Sequence, residues 1–352
     1  MLISEKEATV LELNPRKQKI LKAIVDGFVA TGDPVGSKSL LLETGISVSP
    51  ATVRNDMADL TNKGYIYQPH TSAGRIPSQK GLRYYIDNLM VPLLPPERAR
   101  DYMDLKLTGA ADTPESLLTA AATLLSEYIG YAAVTTTPPC EESRIHRLHF
   151  IGTGRHTVMV VLVTTTGMVK SRLFRCNFVV NSEILTILHE TLNKALCGVP
   201  LESINRPFMQ TVAASFSELF LIIPQALTAI MEISEQALKV QLCVSGEKNL
   251  LFSDEVDPHT ARRILSFLSD REQVSKLLLL GKSHLSIHIG SECAAPELRT
   301  ACVVCGRYEI EGRTAGAVAL FGPGRMDYAS AMGAVSYITG KVGSLLEEMV
   351  DI

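Results

Sequence analysis

The segment from Ser49 to Asn62 has residue types that can read the edges of DNA bases. If it forms a helix, Val53, Met57 and Leu60 return to one side at about 100° per residue. The opposite side is small or polar and not acidic; it carries Ala51, Asn55, Ala58 and Asn62, flanked by Thr52 and Arg54. Asn can pair with adenine and Arg with guanine or phosphate, and small residues allow close approach. DNA binding is one interpretation of this face, and a solvated face of an ordinary three-helix unit is the other.

A polar turn at 70–75 offers a second group of candidate contacts. Thr71, Ser72 and Arg75, with the backbone N–H groups around Gly74, are phosphate donors at the tip of a predicted two-stranded ribbon. Such donors set position and orientation and do not select a base sequence. His70 could also donate, although a lone histidine in a turn more often caps that turn.

The elements that would position these residues can be read from caps and periodicity. Asn14-Pro15 begins a first helix that ends at Thr31-Gly32, a short helix fits 37–43, and Ser49-Pro50 begins a third that ends near Lys63-Gly64. Alternating residues at 65–69 and 76–77 predict the ribbon, and residues 79–90 a closing helix. Three helices and a ribbon are typical of a winged helix-turn-helix, a unit that binds DNA and also serves in protein contacts.

Charge and composition support one basic DNA-binding segment on an acidic chain. The formal net charge is −3, which argues against a histone-like coat protein, yet residues 14–85 carry ten Lys/Arg against five Asp/Glu. Seven scattered cysteines indicate a reducing cytoplasm. The longest apolar stretch, Leu219–Met231, is interrupted by Pro224 and is shorter than the ~18 residues of a membrane helix, so we expect no membrane span.

No residue pattern predicts catalysis, a cofactor or a metal. Cys302 and Cys305 lie on an apolar strand without the second pair that a zinc site needs, and His284 and His288 have no companion ligands. Gly152-Thr153-Gly154 follows a strand but lacks the third glycine of a dinucleotide loop. We therefore expect a protein that is not an enzyme and that contains neither cofactor nor metal.

The remainder of the chain predicts an α+β body interrupted by helices. The proline-rich segment Val91–Pro96 predicts a domain boundary. Strand candidates precede and follow a helical block from Ser182 to about Leu242; they are 147–151, 158–164, 169–178, 285–289, 301–307 and 315–321. An α+β domain split by a mostly helical insertion fits this order.

Several segments resemble the heat-inducible transcription repressor family, HrcA. The N-terminal ones are Gly32–Ser37, Ser49–Met57 and Gln68–Pro77, and the C-terminal ones are Ile289–Glu292 and Phe321–Tyr328. The resemblance covers most of the chain; from about Ser182 to Val256 it holds only in general character.

This resemblance implies a fold and a function. The implied fold has a winged-helix DNA-binding domain at 1–90, a linker at 91–100, a GAF-like α/β domain at 101–181 and 257–352, and an inserted dimerisation domain at 182–256. The implied function is repression of chaperone operons by a homodimer that binds an inverted-repeat operator and is kept active by a GroEL-type chaperonin. The operator bases and the regulated genes do not follow from it.

The motifs and the resemblance together give the residues expected to contact DNA. They are Ser37, Lys38, Ser49, Ala51, Thr52, Arg54, Asn55, Thr71, Ser72 and Arg75. An apolar run at 216–223 predicts an aggregation-prone surface on the monomer that a chaperonin could capture. The alternative function is a winged-helix regulator whose GAF-like domain senses a small ligand, or thiol oxidation at Cys302 and Cys305.

Overall fold

The computed structural model describes most of the chain and divides it into two compact units. The described residues are 13–44, 49–71, 73–137, 143–165, 168–214, 223–238, 241–279, 283–310 and 313–350. Unit 1 comprises Met1–Thr135, Cys243–Tyr308 and Ala317–Gly343, and unit 2 comprises Thr136–Leu242, Glu309–Gly316 and Ser344–Ile352. Three segments with sequence-based predictions lie outside the described residues: the turn at 45–48, Ser72 and the apolar run at 216–222.

The described helices and strands are named here in chain order. They are α1 (Pro15–Thr31), α2 (Ser37–Thr44), α3 (Pro50–Asn62), β1 (Ile66–Tyr67), β2 (Ile76–Pro77), α4 (Gln79–Asn88), α5 (Glu97–Gly109), α6 (Pro114–Ile129), β3 (Ala132–Thr136), β4 (Ile145–Gly154), β5 (Thr157–Thr164), β6 (Val169–Arg175), α7 (Ser182–Leu196), α8 (Arg206–Ala214), α9 (Ile223–Leu238), β7 (Leu242–Ser245), α10 (Glu247–Phe252), α11 (Pro258–Ser269), α12 (Arg271–Leu279), β8 (Leu285–Ile289), β9 (Ala301–Ile310), β10 (Arg313–Pro323) and α13 (Tyr328–Val350). No helix among the described residues has the length and apolar character needed to cross a membrane.

The N-terminal part of unit 1 contains the predicted three helices, ribbon and closing helix. The side chain of Asn14 accepts a hydrogen bond from the Lys17 N–H at the start of α1, and Gly32 ends that helix with a left-handed φ of 79°. The apolar faces of the helices form one core, whose fully buried members include Ile20, Leu21, Ile24, Val25, Leu40, Val53, Leu60 and Ile66. Strands β1 and β2 pair antiparallel, with Ile66 opposite Pro77.

The rest of unit 1 is built on a five-stranded sheet in the order β7-β3-β10-β9-β8. Sequence patterns did not predict β3, β7 or α5. The short β3 is buried at every position, so it shows none of the alternation that marks a half-exposed strand. Helix α5 begins at Glu97, directly after Pro96 and within the segment expected to be the linker.

Unit 2 has its own three-stranded antiparallel sheet in the order β4-β5-β6. Val158, Val160 and Leu162 on β5 share one buried core with Leu188 of α7 and Ile230 of α9. The sequence-based limits placed these three strands in the split domain and began the insertion at residue 182; the structure groups them with the helices that follow. Periodicity identifies a strand but does not say which sheet it joins.

Candidate nucleic-acid interface

Helix α3 presents one exposed face along its length. Ser49 caps it by accepting from the Thr52 N–H at 3.2 Å, and Pro50 occupies the first helical position, where no donor is lost. Val53, Met57 and Leu60 are buried against the neighbouring helices. The exposed side chains are Ala51, Arg54, Asn55, Ala58 and Asn62. These small and polar groups are therefore available to contact the edges of bases in a DNA groove.

The two carboxylates of α3 point towards α1 and are paired there. Asp56 is almost fully buried and accepts two hydrogen bonds from Arg16, at 2.6 Å and 3.2 Å. Asp59 lies 2.6 Å from Lys17 Nζ and 2.8 Å from Lys63 Nζ. These two ammonium groups lower the pKa of Asp59. Sequence reasoning missed this role, although Asp56 falls beside the buried stripe of the helix; Asp59 lies at the edge of the outward face.

The cations of this region separate into a paired set and an unpaired set. Arg16, Lys17 and Lys63 have carboxylate partners in the helices that support α3. Lys38, at the start of α2, and Arg54, on α3, are exposed and have no carboxylate partner among the described residues. Uncompensated positive charge therefore remains on α3 itself, at Arg54, and at the start of α2, at Lys38, and both charges attract a polyanion.

The predicted hydroxyl donors are largely engaged within the protein. Ser49 Oγ lies 2.9 Å from Thr52 Oγ1, in addition to its capping bond. Ser37 begins α2 and is half-buried. Thr71 is exposed at the tip of the ribbon. A phosphate could still approach the start of α3, because Ser49 and Pro50 are both exposed.

The ribbon turn is held by contacts that the sequence did not predict. The side-chain amide of Gln68 donates to the Thr71 and Ala73 carbonyls, at 2.8 Å and 2.9 Å. The backbone of Arg75 pairs in both directions with Val35, which precedes α2. Arg75 Nε lies 3.3 Å from the hydroxyl of a threonine on α3. Arg75 is consequently half-buried and helps to fix the ribbon against α3.

Comparison with known proteins decides the family. The family model for the HrcA protein C-terminal domain matches residues 115–332. Curated heat-inducible transcription repressors HrcA are similar along nearly the whole chain: that of Alkaliphilus metalliredigens is 32% identical over 96% of this chain and 99% of the relative, and that of Desulforudis audaxviator is 31% identical over the same shares. The chain belongs to the HrcA family of heat-inducible transcription repressors.

One solved structure is similar to this HrcA chain over nearly its whole length. A crystal structure of a hypothetical protein has 26% sequence identity and a TM-score of 0.63, with 96% of this chain and 99% of that chain covered. As a member of the HrcA family, the protein is a transcriptional repressor and not an enzyme. The sequence-based resemblance and the predicted class are thereby confirmed.

The thiols considered for redox sensing in this HrcA member are buried. Cys302 has no exposed surface and Cys305 almost none. Burial raises the pKa of the Cys302 thiol well above its ordinary value and that of Cys305 to about 11. Because the thiolate is the reactive form, both side chains are poor targets for oxidants at neutral pH. Their surroundings are those of core residues.

One open cavity of about 620 Å³ in unit 1 was considered for the alternative of ligand sensing. Its polar groups already satisfy one another. Tyr85 donates to Asp26 at 2.7 Å, and Tyr131 donates to Glu255 at 2.5 Å. Since these hydroxyls and carboxylates are paired, no observation at this cavity favours a ligand.

Proposed function

We propose that residues 1–90 form a winged helix-turn-helix that binds operator DNA with α3 in the major groove. The observation that carries the proposal is the sorting of charge around α3. Asp56 is buried and paired with Arg16, and the partly exposed Asp59 is paired with Lys17 and Lys63. Lys38 and Arg54 are exposed and have no carboxylate partner among the described residues. Exposed cations without a carboxylate partner attract phosphate whatever the base sequence.

Each exposed residue has a role that follows from its chemistry. Asn55 and Arg54 would contact base edges, because their side chains can form two hydrogen bonds with one base. Ala51 would let the helix approach closely. Lys38 and Thr71 would contact phosphate, and so would Ser37, Ser49 and Thr52 where their hydroxyls exchange an internal partner for DNA; Ser72 stays a sequence-based proposal. Arg75 would mainly hold the ribbon in place and offer its outer nitrogens to the backbone.

A variant pair tests the base contacts. The preferred duplex is first selected from a random pool, and affinities are then measured on that duplex and on random DNA. Asn55→Ala should cost roughly 1 to 3 kcal/mol on the preferred duplex and much less on random DNA. Asn62→Ala is the matched control, since Asn62 is exposed at the far end of the same helix. An equal loss on both duplexes would contradict a base contact.

We further propose that unit 2 pairs two copies of the chain, so that two α3 helices read an inverted repeat in chaperone operons. On the sheet face opposite the buried core, Ile151, Met159 and Leu173 form one cross-strand row, and Leu173 is 59% exposed. A solvated face of an antiparallel sheet normally carries polar residues, so an apolar row there supports a protein contact. The unit 1 sheet and its helices would then be the GAF-like body.

Sedimentation tests the pairing. Leu173→Asp should give a monomer that binds the preferred duplex weakly. Val179→Asp is the control, because Val179 is equally exposed but lies outside the sheet. A dimer that persists in Leu173→Asp would remove this face from the interface.

The proposed chaperonin dependence rests on the apolar run at 216–223, most of which lies outside the described residues. A GroEL-type chaperonin would capture the unpaired chain through this run and release it for pairing. Refolding with and without chaperonin and ATP, followed by an operator-binding assay, tests the idea. Equal active yields would refute it.

A further inference from the structure

Two segments of unit 1 distant in sequence hold the N-terminal helices. We call these segments, 287–292 and 325–333, the cradle. In the first, Arg83 of α4 donates through Nη1 to the Ile287 carbonyl at 2.9 Å and to Glu292 Oε2 at 3.0 Å. The same Glu292 oxygen accepts from the Ile289 N–H at 3.0 Å, so the carboxylate is also held by its own segment.

A second α4 side chain contacts the same segment one turn earlier. Gln79 Nε2 donates to the Ile289 carbonyl at 2.7 Å, and its Oε1 accepts from Ser291 Oγ at 2.9 Å. Gln79 and Arg83 are four residues apart and therefore lie on one side of the helix. Directional hydrogen bonds from two successive turns fix both the position of α4 and its rotation about its own axis.

The second cradle segment contacts the end of α1 and the proline-rich linker. Arg325 Nη1 donates to the Val29 carbonyl at 3.1 Å, in the last turn of α1, where carbonyls lack helical partners and attract cations. The Leu93 N–H donates to the Ala329 carbonyl at 3.0 Å. A Cβ added to Gly333 would lie only 1.9 Å from the Leu93 carbonyl oxygen, so the linker runs closely along α13 because that residue is glycine.

These contacts leave the proposed DNA face free. They use α4, the last turn of α1 and the linker, whereas Lys38, Arg54 and Asn55 remain exposed. The held arrangement is therefore compatible with bound DNA. The cradle also contains Glu292 and Arg325, which belong to the two C-terminal family-like motifs that the DNA contacts do not explain.

We propose that the cradle fixes the direction in which each protomer presents α3, and that Arg83, Glu292, Arg325 and Gly333 are positioning residues for operator half-site spacing. The inference rests on the proposed dimeric operator binding. A DNA-binding region that swings freely on its linker would tolerate many half-site spacings. When the region is held in one orientation, the second protomer meets its half-site at high effective concentration only at the matching spacing. Spacing selectivity would thus be set by intramolecular contacts far from the DNA.

The test uses the full-length protein with three substitutions. Glu292→Gln removes the charge that meets Arg83 and preserves side-chain size. Gly333→Ala forces the linker away from α13, and Gly340→Ala is its control on the same helix, since a Cβ there meets no atom within 4 Å. Affinities are measured on a single half-site and on inverted repeats whose spacer differs by about −2 to +2 base pairs from the preferred one.

The wild type and Gly340→Ala should prefer one spacing. In the two cradle variants, the ratio of affinities between the preferred and the other spacings should fall by about tenfold, while the affinity for a single half-site stays within about twofold of the wild type. An unchanged spacing profile in both cradle variants would overturn the positioning role alone. A wild type with no preference among spacings would overturn the proposed dimeric reading, and the inference with it. Intact half-site binding shows that the DNA-binding region is still folded, so a lost preference reflects orientation.

Discussion

Replacement of one unpaired lysine should change how salt weakens DNA binding. Lys38 is exposed at the start of α2 and has no carboxylate partner among the described residues. Lys22 is also a lysine of the N-terminal helices, but its Nζ lies 2.7 Å from Asp26 Oδ2. Each substitution to Ala removes one positive charge. The two variants therefore have the same change in net charge and differ only in whether the lost charge was free to contact a phosphate.

The size of the effect follows from counterion release. Each phosphate contact contributes about 0.9 to the slope of log affinity against log salt on duplex DNA. A dimer carries two copies of Lys38, so Lys38→Ala should reduce the slope by about 1.8. Between 50 and 200 mM salt, this change corresponds to about tenfold less loss of affinity than in the wild type. Lys22→Ala should leave the slope nearly unchanged, because its ammonium group is already paired.

Fluorescence anisotropy at several potassium chloride concentrations measures both slopes on the selected operator. Random DNA of equal length should show the same reduction for Lys38→Ala, since a phosphate contact does not depend on base sequence. If the two variants gave equal slopes, the separation into paired and unpaired cations would not describe the DNA interface. Lys38 would then be removed from the proposed phosphate contacts.

Three further outcomes are expected from local packing and titration. Gly81→Ala should lower the free energy of unfolding by about 1 to 3 kcal/mol, because the added Cβ would lie 2.0 Å from the Tyr65 carbonyl oxygen just before β1. Gly109→Ala is the control, since its added Cβ meets no atom within 4 Å, and its stability should stay unchanged. Thermal melting compares the two variants. Maleimide labelling of the native protein with mass mapping should modify the exposed Cys197 well before the buried Cys302, and equal rates would reopen thiol sensing. Burial lowers the pKa of His288 below its ordinary value of 6.5. As the pH drops below 6.5, the unfolded chain therefore binds a proton before the folded chain does, and the folded state loses stability. His288→Gln should reduce the difference between the melting temperatures at pH 7.5 and 5.5, and an unchanged difference would show that other groups cause it.

The N-terminal helices could be predicted from sequence because their signals are local. Asn14 and Ser49 precede prolines at helix starts, and the structure shows both side chains accepting the expected capping bonds. The exposed and buried sides of α3 also follow from a 3.6-residue period. The motifs in this region and near the C-terminus were sufficient to recognise the family. Caps, periodicity and motifs each depend on residues within a few positions of one another, so no knowledge of the fold was needed.

Tertiary structure decided which elements and charges meet. Nothing local distinguishes β4 to β6, which form a separate sheet, from strands of the larger one, because pairing is set by packing partners elsewhere in the chain. The neutralisation of Asp56 by Arg16 joins residues 40 positions apart, and the contact of Arg83 with Ile287 spans 204 positions. The entropy cost of closing a loop rises only slowly with its length, so residues far apart in sequence can pair nearly as readily as residues close together. Nothing in the local sequence therefore identifies the partner. The sequence by itself determined the family and the buried and exposed sides of the N-terminal helices, because those signals are local, and the folded chain determined how these helices are held.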